Sequence, residues 1–131
     1  MDLKRETAFV NTLIDRADVF VQNLAPGSAE RLGLDHNTLR SRRPELITVD
    51  ISGYGSCSSR KAYDLLVTAE TGLCSITGTE EGGPGRVGVS VADIMTGRVA
   101  YSAILKALLE RTATGRGASL SISLFDVVAE M

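Results

Sequence analysis

"PELITVDISGYG", residues Pro44 to Gly55, decides how this chain is read. Its β-branched and apolar run has the composition of a buried strand and passes straight into a glycine turn. Pro44 closes the short helical pattern before it, "DHNTLRSRR", because proline cannot continue a helix ladder. Working towards the amino end, "SAERLGL" reads as a brief helix with Ser28 as its cap and Gly33 as its stop. "DVFVQN", Asp18 to Asn23, reads as a second short strand, broken by Pro26 and Gly27. Before it, "RETAFVNTLIDRA" spaces Phe9, Val10, Leu13 and Ile14 as one face of a helix.

Towards the carboxyl end, "AYDLLVTAETGLCSIT" predicts one helix, and the glycines and proline of "TGTEEGGPGR" predict a surface turn. "VGVSV" predicts a short extended piece, followed by the longest helix, Ala92 to Arg111, about 30 Å at 1.5 Å per residue. Ile94, Tyr101, Ile104, Leu105, Leu108 and Leu109 give that helix a wide apolar surface. "ASLSISL" alternates Leu120, Ile122 and Leu124 against serines, as a half-buried strand does. "FDVVAEM" opens another helix. Strands alternating with helices predict an α/β architecture with a largely parallel sheet. Both ends look cut, since the pattern starts without the first strand of such a sheet and stops inside an apolar helix. No internal repeat, linker or second domain can be drawn.

Composition narrows the function. The chain has 131 residues, 44% of them hydrophobic, enough for one compact domain or part of one. Fourteen basic and sixteen acidic residues, interspersed, give a net charge of −2 with no basic stripe for nucleic acid. No apolar run approaches the ~20 residues of a membrane span, and no signal peptide is seen. Cys57 and Cys74 match no zinc or redox spacing and read as buried reduced thiols of a cytoplasmic protein. His36 is the only histidine and lies in a polar stretch, which argues against a Ser-His-Asp or Cys-His triad.

Three places could carry chemistry. "GYGSCS" invites a dinucleotide fingerprint, but Ser58 stands where the third glycine belongs. Arg60 and Lys61, beside Tyr63 and just before a helix, read as solvated loop charges or as a grip for phosphate. Asp93, in "VGVSVADIMTG", has the ordinary role of a helix cap on position alone. A helix start also favours an ionised carboxylate, which can serve as a nucleophile.

Taken together, these segments resemble the class III CoA-transferase family, to which the α-methylacyl-CoA racemases are related. "RADVFVQNLAPGSAERLGL" resembles its "ADV-x-V-E-N-F-x-P-G…-RLG" segment, with Gln22 in place of the usual glutamate and Leu24 in place of an aromatic residue. "PELITVDISGYG" resembles "NPRLIY…SISGFG". "YDLLVTAETGLCSITG" resembles "YD-x-x-x-QA-x-SG…TG", with Glu70 and Thr71 where small residues are common. "VGVSVADIMTG" matches "G-x-x-x-x-D-x-x-x-G", and "TGRG" and a terminal "SL-D" follow in order.

The resemblance implies a Rossmann-like large domain, of which residues 1–131 are the central part, truncated at both ends. It implies Asp93 as catalytic residue, Arg31 and Lys61 as CoA-binding residues, and Asn23 and Tyr63 as lining for the pocket near the thioester. No metal and no prosthetic group are implied; coenzyme A enters as acyl-CoA substrate beside a carboxylic acid. The full-length protein is expected to be an interlocked cytoplasmic homodimer, with no nucleic-acid or membrane partner. A racemase is the nearest alternative. Its histidine position holds Tyr63, and a phenol is a poor match for base work at neutral pH. A non-catalytic CoA-binding or interaction module is the other.

Overall fold

The computed structural model describes residues 7–131. Seven helices and three strands are seen among them: α1 (Thr7–Ile14), β1 (Val19–Gln22), α2 (Ser28–Leu32), α3 (His36–Arg42), β2 (Ile47–Ser52), α4 (Asp64–Glu70), α5 (Leu73–Thr77), α6 (Val91–Thr114), β3 (Ser119–Ser123) and α7 (Leu124–Ala129). The strands form one parallel sheet in the order β1-β2-β3. The expected mixed architecture with a parallel sheet is therefore present. The part of the first expected helix before Thr7 lies outside the described residues.

β2 is the centre of the sheet, and its alternation divides the core. Ile47 and Val49 are fully buried and pack with Ala100 and Ala107 of α6, Ile122 of β3 and Val127 of α7. Alanines at the contact let the long helix lie close to the strands. Leu46 points the other way and packs with Ile14, Leu34 and Leu39, the last on α3. A third cluster joins Val67 of α4, Ala92 of α6, and Leu124 and Val128 of α7. β1 and β3, on either side, are covered only in part.

Arginines tie down the amino end of the sheet. Arg43 donates to the carbonyls of Ile14 and Ala17 at 2.7 and 2.8 Å. Arg111, near the end of α6, donates to Asp18 Oδ1 at 2.8 Å and to the Glu45 carbonyl at 3.2 Å. Arg40 reaches the Gly117 carbonyl at 3.0 Å. Among the described residues no arginine makes such a clasp at the carboxyl end.

Several local expectations are corrected. The single helix over 62–77 is two, because Gly72 takes φ 85°, a left-handed conformation that ends α4 and turns the chain into α5. "VGVSV" joins no ladder. Ser28 does not cap α2: Gly27 occupies the cap at φ 72°, and the Ser28 hydroxyl accepts from Arg31 instead. Gly33 ends α2 as expected. Neither cysteine is fully buried, Cys57 being exposed and Cys74 half-buried, and both are free thiols. Among the described residues no helix is long and apolar enough to cross a membrane.

α6 buries one side and leaves Ile94, Tyr101, Leu105 and Leu109 exposed along another. Contiguous apolar surface of that kind drives association. The 131-residue chain by itself is thus expected to elute from gel filtration as species larger than a monomer. A sharp monomer peak would show that this surface is tolerated in water.

Candidate active-site cleft

Open α/β sheets bind ligands beyond the carboxyl ends of their strands. Here a cleft of about 550 Å³ opens at that edge. Its walls come from the segment after β1, the glycine turn and loop after β2, and the first turns of α4 and α6. Four of the five residues singled out from the sequence, Asn23, Lys61, Tyr63 and Asp93, line this one cavity. They come from three separate parts of the chain. Arg31 does not line it; its guanidinium lies over Gly27 at the rim and donates to Ser28 Oγ at 2.6 Å.

The geometry around Asp93 separates its two possible roles. Helix α6 begins after Ser90, whose side chain makes no capping bond. The free amides of Ala92 and Asp93 instead donate to Oδ1 of Asp64, at 2.8 and 3.3 Å. Asp64 is the first residue of α4, so one helix caps another. Position alone favoured Asp93 as the cap, and the structure corrects that reading. Among the described residues nothing hydrogen-bonds or pairs with the Asp93 carboxylate, which is exposed to the cleft.

The basic pair also divides. Arg60 pairs with Glu70 and stacks 4.3 Å above the ring of Tyr54. Partial burial, then the Glu70 charge, hold the Tyr54 phenol above its usual range. Lys61 has no ion-pair partner among the described residues.

The glycine turn does not make a dinucleotide site. A fingerprint turn opens directly into a helix, whereas here a loop runs from Gly55 to Tyr63 before α4 begins. Among the described residues no group of His, Cys, Asp and Glu could hold a metal ion. Two features were not anticipated. One is the capping role of Asp64, which the sequence showed only as the residue after Tyr63. The other is a polar row of Gln22, Asp50 and Ser121 along the floor, with His36 beneath it.

The profile of CoA-transferase family III matches residues 1–131. The chain belongs to that family. It is 39% identical over 123 residues to the succinyl-CoA:glutarate CoA-transferase of Mus musculus, covering 92% of this chain and 28% of that one. With the formyl-CoA:oxalate CoA-transferase of Streptomyces avermitilis it shares 33% over 130 residues, 98% of this chain and 32% of the relative. The crystal structure of a CAIB/BAIF family protein from Brucella suis superposes with a TM-score of 0.94 at 32% identity, over 99% of this chain and 36% of that one. The chain thus spans about a third of the length of these relatives.

The capping assignment can be checked separately from any activity. Asp64→Ala leaves two amides of α6 without their acceptor and should cost about 0.5–2 kcal/mol in thermal unfolding. Asp64→Asn keeps an acceptor and should lose much less. Equal losses in the two variants would remove the cap from the account.

Proposed function

We propose that the full-length protein transfers coenzyme A from an acyl-CoA thioester to a carboxylic acid, with Asp93 as nucleophile. The observation that carries this reading is the Asp93 carboxylate itself, in the cleft and at a helix start, with the capping duty held by Asp64. A helix amino end favours negative charge without a covalent partner, so the carboxylate is available for attack.

On this reading Asp93 attacks the thioester carbonyl, giving a mixed anhydride and releasing CoA thiolate. The thiolate returns to the aspartyl carbonyl, freeing the donor acid and leaving an aspartyl-CoA thioester. The acceptor carboxylate then attacks that thioester, forming a second anhydride and thiolate. Attack of the thiolate on the acceptor's carbonyl yields the new acyl-CoA and restores Asp93. Each step exchanges an acyl group between comparable leaving groups, which is how covalent catalysis divides a difficult exchange.

Lys61, without an ion-pair partner among the described residues, holds CoA through a phosphate, and Arg31 assists from the rim. Asn23 and Tyr63 line the part of the pocket near the thioester. Coenzyme A is substrate and no prosthetic group is needed. The whole protein is proposed as an interlocked cytoplasmic homodimer whose Rossmann-like large domain contains this chain. The exposed stripe of α6 is surface that such an assembly would cover. Racemisation is disfavoured, because Tyr63 lines the cleft and His36, the only histidine of the chain, is held between Thr48 and Asp50.

The named relatives suggest succinyl-CoA with glutarate, or formyl-CoA with oxalate, as assay substrates. In the full-length protein, Asp93→Asn should lower transfer by roughly a thousandfold or more. Its unfolding free energy should change by no more than the ~0.3–1 kcal/mol of a charge at a helix start. Transfer near the wild-type rate would refute the nucleophile, and CoA binding without transfer in the wild type would favour a binding module.

A further inference from the structure

The floor of the cleft contains a hydrogen-bonded relay that the transfer chemistry leaves unused. Alternation along β2 puts Leu46, Thr48 and Asp50 on one face, towards α3. Register places Gln22 of β1 and Ser121 of β3 on either side of Asp50. His36, the first residue of α3, spans two positions of β2. Its Nδ1 meets Thr48 Oγ1 at 2.6 Å and its Nε2 meets Asp50 Oδ2 at 2.8 Å. A carboxylate only accepts, so Nε2 carries the proton.

The relay continues towards the cleft wall. Asp50 Oδ1 accepts from Gln22 Nε2 at 2.8 Å, which fixes which end of the Gln22 amide faces the sheet. Gln22 Oε1 is thereby turned to the chain ahead, where it accepts from the Leu24 amide at 2.6 Å. The Gln22 amide thus has one orientation that satisfies both of its partners. The segment it holds, Asn23–Leu24, lies immediately after β1 and lines the cleft, with the Asn23 side chain exposed to it.

We propose that Gln22 is a positioning residue for CoA transfer: oriented by His36 through Asp50, it fixes the Asn23–Leu24 backbone and so places Asn23 beside the reacting thioester. The inference rests on the function proposed above. The proposed grip on CoA lies on other residues, Lys61 and Arg31, so disturbing the relay should affect turnover more than affinity. Misplacement of a positioning group by an ångström is enough to slow chemistry severely.

Gln22→Glu tests this in the full-length protein. It keeps the size of the side chain but sets two carboxylates against each other and turns the side chain from Asp50. The double variant Gln22→Glu/Asp50→Asn restores every partner. The new amide at position 50 can donate to the new carboxylate at position 22, while its oxygen accepts from His36. With succinyl-CoA and glutarate, Gln22→Glu should lower kcat about tenfold to a hundredfold. KM for succinyl-CoA should stay within about threefold of wild type, and the double variant should recover kcat to a similar margin. Circular dichroism melts on all three proteins identify a variant that has lost its fold. A folded Gln22→Glu protein with wild-type kcat would overturn the proposal, as would a folded double variant no better than the single one. Those results leave the functional reading standing; a wild-type protein that transfers no CoA overturns both.

Discussion

The carboxylate of Asp64 accepts from two amides at the start of a helix that is distant in sequence, and the site depends on that contact. It joins the first residue of α4 to the first turn of α6, fixing the end of the long helix against the loop that carries Lys61 and Tyr63. Buried or half-buried helix ends need acceptors for their free amides. A helix that capped itself through Asp93 would spend the carboxylate proposed to react. Because Asp64 supplies the acceptor, Asp93 remains on the cleft side of the same turn without a partner among the described residues. Val67 of α4 and Ala92 of α6, both fully buried in one cluster, hold the two helices at the distance the contact needs.

The sheet gives this contact its setting. At the amino ends of the strands, Arg43 and Arg111 saturate carbonyls and join the ends of helices to the strands. At the carboxyl ends the polar side chains of Gln22, Asp50 and Ser121 form a row open to the cleft. One end of the sheet is thus closed by arginines, and the other opens on the cleft where the substrate is proposed to bind. Arg60 belongs with the structural group, being bound to Glu70 and stacked on Tyr54, although it neighbours Lys61 in sequence.

Much of this was legible in the sequence where periodicity and composition act locally. β2 could be read because it opens on Ile47, Thr48 and Val49, β-branched and buried, and α6 because no proline interrupts its run from Val91 to Thr114. The resemblance carried the choice of Asn23, Lys61, Tyr63 and Asp93, which the fold brings to one cavity. What could not be read is non-local. The cap on α6 comes from a residue 28 positions earlier, so position within α6 pointed to the wrong aspartate. His36 lies in a polar stretch, yet it stands over β2 because α3 packs through Leu39 onto Leu46. The break at Gly72 was missed since a left-handed glycine within a helical pattern leaves the apolar spacing on both sides intact.

In the proposed mechanism the side chain of Asp93 forms a bond with the acyl group and then with CoA. Incubating the full-length protein with succinyl-CoA, quenching with hydroxylamine and mapping the peptides by mass spectrometry tests it directly. An activated aspartyl carbonyl is captured as a hydroxamate, so that modification is expected on Asp93, dependent on the acyl-CoA. An unmodified Asp93 in an actively transferring protein, with Cys57 or Cys74 found acylated in a parallel acid quench without hydroxylamine, would contradict it.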